Sequence, residues 1–211
     1  MVNVKVVLCA LFFLLLISLV PLNFSHAGTT WSIQTVDSTG TADAELSLAL
    51  ASNGYPYISY RDFENDDLKC AMWSGSVWSI QTVDSGSDTG IYPSIDLDSN
   101  NYPHISYFGA GHLKYAKWTG SAWSVQIADS NENVGFYSSI ALDSGNNPHI
   151  SYFDVKNLDL KYAKWTGSAW SIQTVDSAEN VGKFSSIALD SGNNPHISYS
   201  DFTNHDLKYA R

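Results

Sequence analysis

The sequence predicts an all-β fold, a four-bladed β-propeller of four-stranded antiparallel blades, and three observations carry the prediction. A segment reading W-S-[IV]-Q-[TI]-[VA]-D-S occurs four times, opened by Trp31, Trp78, Trp123 and Trp170 at spacings of 47, 45 and 47 residues. A period in the forties is the length of one four-stranded blade. Between these tryptophans, short runs alternate apolar and polar residues and are separated by turns bearing Gly and Asn, the pattern of strands with one buried face. Beyond the N-terminal apolar run, no segment places apolar residues at i, i+3, i+4 and i+7 over three turns, so no helix is expected.

The third repeat shows the elements in order. Ser138–Asp143 alternates and reads as the first strand. Ser144-Gly145-Asn146-Asn147 is a tight turn, because Gly and Asn tolerate positive φ. Pro148–Phe153 is the second strand, with proline at its first position, where a missing N–H costs least. Asp154 to Asp159 is a polar loop, Leu160–Trp165 the third strand, Thr166–Ala169 a turn, and Trp170–Val175 the fourth strand. In the last repeat the strands fall at Ser185–Asp190, Pro195–Ser200 and Leu207–Arg211, and a fourth is missing. Trp31–Asp37 is a fourth strand with no blade before it. The expectation is therefore that the N-terminal strand completes the last blade and closes a ring without open edges. A closed monomer is the expected form. The alternatives are a piece of a larger ring and a dimer of two copies with eight blades.

Residues 1–27 read as a secretory signal peptide. Lys5 precedes an apolar run from Val6 to Val20, broken only by Ser18, and Ser25 and Ala27 are the small residues of a cleavage site. The run is short for a bilayer span. Residues 28–211 then form one domain with repeats starting at about 31, 78, 123 and 170, secreted and free of the membrane after cleavage. The chain carries 11 basic and 21 acidic residues, a formal charge of −10. That surface repels phosphate backbones, so nucleic acid is not an expected partner. Of two cysteines, Cys9 leaves with the signal and Cys70 stands where the other repeats have Tyr115, Tyr162 and Tyr209. No disulfide follows, and no Cys/His set has zinc spacing.

The turn Trp118-Thr119-Gly120-Ser121-Ala122-Trp123 lies between a third and a fourth strand. Here the repeats resemble those of the sialidase-like (BNR, or Asp-box) propellers and related propeller lectins, whose S-x-D-x-G-x-T-W box matches at Gly120 and Trp123. Trp118 occupies the Asp position, so the box is degenerate. The resemblance implies a propeller. Its sialidase chemistry, which needs three arginines around a substrate carboxylate, does not transfer, because Arg61 and Arg211 are the only arginines.

Three residue sets are candidate sites. The pairs Trp73/Trp78, Trp118/Trp123 and Trp165/Trp170 flank one hairpin turn in three repeats. They either stabilise hairpins or stack on the apolar faces of sugars, with avidity from repetition. Asp84, Asp129 and Asp176, with Asp37, end fourth strands, and Asp62, Asp154 and Asp201 follow second strands. They either cap turns or form an acidic face open to Ca²⁺, although their spacing is not that of an EF-hand. His104, His149 and His196 recur in second strands and read as residues that hydrogen-bond between blades. No catalytic motif appears, and repeated residues lack the paired but unlike carboxylates of hydrolysis. The match between Ser138–Tyr152 and Ser185–Tyr199 points to duplication without specialisation. The expected function is a secreted, non-enzymatic, multivalent glycan-binding module without a cofactor. The alternatives are an extracellular protein-interaction scaffold using the acidic loop face and, last, a sialidase-like glycoside hydrolase.

Overall fold

The computed structural model describes residues 31–211. The signal-peptide reading of residues 1–27 lies outside them. Thr35 to Arg211 forms one compact unit. It is all-β, with strands in four antiparallel meanders. The first sheet holds β1 (Ala42–Leu50), β2 (Pro56–Asp62), β3 (Asp67–Trp73) and β4 (Trp78–Asp84). The second holds β5 (Ile91–Leu97), β6 (Pro103–Gly109), β7 (His112–Trp118) and β8 (Trp123–Asp129). The third holds β9 (Val134–Leu142), β10 (Pro148–Asp154), β11 (Asp159–Trp165) and β12 (Trp170–Asp176). The fourth holds β13 (Val181–Leu189), β14 (Pro195–Asp201) and β15 (Asp206–Ala210).

The turns follow from their residues. In Asp143–Asn147 the Asp143 carboxylate accepts the N–H groups of Gly145 and Asn147, each at 2.8 Å, and Asn146 takes φ 61°. An Asp side chain thus mimics a backbone turn, and Asn tolerates the left-handed residue. In the next hairpin Thr119 Oγ1 donates to the Ala122 carbonyl at 2.8 Å while Gly120 supplies φ 94°.

Consecutive sheets stack face to face through their first strands, β1 on β5, β5 on β9 and β9 on β13. One serine marks each contact: Ser47, Ser94 and Ser139 accept the N–H of Ile95, Ile140 and Ile187 at 3.2, 3.1 and 3.2 Å. Between the second and third sheets lie Leu113, Tyr115, Ile140, Ile150 and Tyr152. Equivalent residues fill the other two interfaces. Burying one such side chain contributes about 1.5–3 kcal/mol. Sheets approach closely where glycine allows it: a Cβ on Gly135 would stand 2.7 Å from the Leu113 Cα, at φ 108°.

The described residues do not show the expected closing strand. Among the described residues the fourth sheet has three strands, and residues 31–41 carry none. Trp31 and Ile33 are almost fully exposed. Asp37 accepts the Tyr60 hydroxyl of the first sheet at 2.6 Å. Residues of all four first strands, Leu46, Tyr92, Tyr137 and Phe184 among them, line one concavity. Repeat matching says which sheet a strand resembles but leaves the angle between sheets free, so it does not fix how many sheets complete a turn. No helix among the described residues is long and apolar enough to cross a membrane.

Candidate functional site

Where the second and third sheets meet, their turns leave a groove of about 370 Å³ lined by Asp98, Tyr115, Lys117, Gln126, Asn147 and Trp165, among others. Its walls are built from the repeat turns. Asp98 accepts the N–H groups of Asn100 and Tyr102, each at 2.9 Å, which rigidifies the near wall. Asn146 spans the sheets: its Oδ1 accepts the Ser99 N–H at 3.2 Å and its Nδ2 donates to Ser99 Oγ at 3.0 Å. The lining is mostly hydrogen-bonding groups, with one indole at the rim.

Beneath the groove runs a buried Tyr–His–Asp set. The Tyr115 hydroxyl lies 2.6 Å from His104 Nδ1, and His104 Nε2 faces the Asp98 carboxylate at 3.6 Å. Burial, reinforced by the Lys117 ammonium, lowers the imidazole to about 4 against the pull of Asp98. The ring is therefore neutral at pH 7 and accepts the Tyr115 proton at Nδ1, leaving Nε2–H directed at Asp98. His149 stands likewise 2.6 Å from Tyr162 and 3.6 Å from Asp143. His196 bonds Tyr209 and lies 3.5 Å from Asp190. The first repeat replaces all three residues together, by Tyr57, Cys70 and Ala51. The histidines thus bond within their own sheet, which corrects the expectation of bonding between blades. At these junctions serines bond between sheets, Ser106 to Ser138 and Ser151 to Ser185, each 2.9 Å. Sequence reasoning missed the set, although its joint replacement in the first repeat was a readable signal.

The tryptophans pair across their hairpins as expected, Trp73 with Trp78, Trp118 with Trp123 and Trp165 with Trp170. Their ring centroids lie 5.3, 5.4 and 5.5 Å apart. The two members differ in role. Trp123 donates from Nε1 to Gln81 of the preceding sheet at 2.9 Å. Trp170 packs edge-on against Tyr115 of the preceding sheet at 5.3 Å. These second members hold sheets together, while Trp165 lines the groove. Between the first and second sheets the positions of Asp98, Tyr115 and Lys117 are taken by Ala51, Cys70 and Met72, so the groove chemistry is not repeated there.

The aspartates do not form an open acidic ring. Asp84, Asp129 and Asp176 accept hydroxyls from Tyr107, Tyr152 and Tyr199 of the following sheet at 2.7, 2.6 and 2.8 Å. Each also meets a lysine, Lys114, Lys161 or Lys208. Each carboxylate is thus engaged between sheets, and among the described residues no three His, Cys, Asp or Glu converge on a metal position. Asp154 and Asp201 cap loops: Asp154 accepts the N–H groups of Lys156 and Asn157, each at 3.0 Å, and Asp201 those of Thr203 and Asn204 at 3.1 and 3.0 Å. A second concavity of about 260 Å³ includes Tyr92, Tyr137 and Phe184. These aromatic residues take φ 52°, 53° and 54°, left-handed values that cost bulky residues on the order of 1–2 kcal/mol each. Tilted ring contacts of Tyr137 with Tyr92 and Phe184, centroids 4.2 and 4.4 Å apart, accompany that strain.

Stacked antiparallel meanders of this kind define an all-β, propeller-like class. Within it, no family model matches the sequence, the sialidase-like one included, and no curated protein matches it. Solved structures do match. An ulvan lyase of polysaccharide lyase family PL25 aligns at TM-score 0.51 and 16% identity, over 71% of this chain and 43% of that chain. A lectin of Aleuria aurantia in complex with Fucalpha1-6GlcNAc aligns at TM-score 0.50 and 11% identity, over 81% and 74%. A fucose lectin of Kordia zhangzhouensis aligns at TM-score 0.44 and 19% identity, over 61% and 96%. At these identities the first two likenesses show the fold.

Proposed function

We propose that this chain is a secreted carbohydrate-binding module that recognises a saccharide without turning it over, in the groove between the second and third sheets. The observation that carries the reading is the pairing of the Trp165 indole with a ring of hydrogen-bonding groups, Asp98, Lys117, Gln126 and Asn147, around about 370 Å³. A pyranose has the same division: one C–H face that an indole covers, and a hydroxyl edge that amides, a carboxylate and an ammonium satisfy. The solved structures sharing the fold include a lectin and a polysaccharide lyase, a fold-level analogy that supports the carbohydrate class. Recognition is favoured over catalysis because Asp98 is fastened into its own turn and His104 is buried beneath it. The tryptophans are not equivalent, so one strong site, rather than equal sites in every repeat, is the finer reading.

A glycan array followed by titration calorimetry of the best ligand tests this. Covering about 80 Å² of sugar C–H surface contributes about 2 kcal/mol, or roughly thirtyfold in affinity. Trp165→Ala loses that factor while keeping the circular dichroism of the parent. Parent-like affinity of the variant for the same sugar would end the proposal.

A further inference from the structure

We infer that two or more copies of this chain assemble head to tail, the open face of the fourth sheet of one copy against the open face of the first sheet of the next. The molecule itself repeats the interface that such an assembly would form. In each internal junction, one sheet presents a leucine of its third strand, and Leu68, Leu113 and Leu160 are fully buried there. The same position in the fourth sheet is Leu207, which is 86% exposed. Tyr209 is 59% exposed, whereas its counterparts Cys70, Tyr115 and Tyr162 are buried. Ser186 stands where Ser47, Ser94 and Ser139 each accept a backbone N–H from the following sheet.

The first sheet presents the opposite half. Ile95, Ile140 and Ile187 of the later sheets are buried against the sheet before them, yet their counterpart Leu48 is 55% exposed. Leu46 and Leu50 beside it are also exposed. The two open faces are therefore the donor and acceptor halves of one junction. Their natural occupant is a second copy of this chain, in which Ser186 accepts the Leu48 N–H.

The backbone fits as well. Among the described residues β15 carries an unpaired edge, and residues 31–37 repeat the sequence of β4, β8 and β12, the strands that fill that position in the other sheets. Transferring the register of β11 on β12 pairs Ala210 with Ile33, Tyr209 with Gln34 and Leu207 with Asp37 of the neighbouring copy. Asp37 already holds the place of Asp84, Asp129 and Asp176 by accepting the Tyr60 hydroxyl. It would then join the fourth sheet of one copy to the first sheet of the next, as those residues join sheets within the chain. One position departs from the template in sequence: Asp43 stands where Gly90, Gly135 and Gly182 admit a leucine. Because the two faces differ, the contact is heterologous and yields a closed ring if the rotation closes, or a filament if it does not.

The test is the native mass of the full chain, purified from a secreting host, against the denatured mass of the same sample, with two variants. Leu48→Asp and Leu207→Asp each spoil one face at an exposed position, so both fold with the circular dichroism of the parent. The parent has a mass of two or more copies, and each variant alone is a monomer. Mixing the two variants restores a dimer, because each keeps the face that the other lacks. A monomeric parent at tens of micromolar, an oligomer indifferent to both substitutions, or a mixture that stays monomeric would each overturn the inference.

Discussion

Replacing Tyr152 by Phe removes a single oxygen, the hydroxyl that donates to Asp129 across the second junction at 2.6 Å. Both residues are buried, Asp129 at 4% exposure. Burial alone would raise the Asp129 carboxyl. The bonds from Tyr152 and the Asn131 N–H, with the Lys161 ammonium at 3.3 Å, outweigh it and hold the group below the usual carboxylate range. A hydrogen bond to a buried charge contributes about 1.5–3 kcal/mol. Asp129 keeps two of its partners in the variant, so the expected loss is about 2 kcal/mol. Tyr199→Phe breaks the same bond at 2.8 Å, to the more accessible Asp176, and should cost about 1 kcal/mol. The sign with pH follows from the lowered carboxyl. Its contribution is present above the unfolded value near 3.9 and is lost as pH falls through the folded value. The Tyr152→Phe difference therefore shrinks below about pH 4. Urea denaturation at pH 7 and at pH 3.5 measures both quantities. A loss under 0.5 kcal/mol at pH 7, or a larger loss for Tyr199→Phe than for Tyr152→Phe, would refute the reasoning.

Three further outcomes are expected. His104 is held near 4 by burial and Lys117 and near 6.5 when unfolded; the unfolded chain takes up a proton first, so stability falls between pH 6.5 and 4. Between pH 7 and pH 5 that costs about 2 kcal/mol, and His104→Gln, followed by urea melts at both pH values, should reduce the slope. Gly135→Ala drives a Cβ to 2.7 Å from the Leu113 backbone and should cost more than about 3 kcal/mol, whereas Gly111→Ala, with open space around it, should cost about 1 kcal/mol, as thermal melts of the two would show. Cys70 is buried and its thiol is pushed up to about 12 by burial; a thiol reagent should leave the native chain unmodified for hours and label it at once in denaturant.

Much of the fold was legible because period-2 patterning and turn chemistry are local. The second strand of the third repeat begins at Pro148 as read, and the third strand ends at Trp165. The tryptophans meet across their hairpins because a turn of fixed length sets the register. The first strand was read as Ser138–Asp143 but runs Val134–Leu142. Its extension depends on an irregular register and on Tyr137 at φ 53°, a conformation that a bulky side chain does not announce. The roles of Asp84, Asp129 and Asp176 were half legible. Their repetition marked them, but their tyrosine partners lie 23 residues away in the next sheet, and only stacking brings them together. The groove was less legible still, since it joins Lys117 and Gln126 of one sheet to Asn147 and Trp165 of the next. Ring closure is not legible for a related reason: sequence specifies the faces of each sheet but not the rotation from one to the next.

A crystal structure with the sugar selected on the array tests most directly whether a saccharide sits between the second and third sheets against Trp165. The account predicts density for a pyranose whose C–H face lies on the Trp165 indole and whose hydroxyls reach Lys117, Gln126 and Asn147. Density for the sugar elsewhere, with this groove holding only solvent, would contradict it.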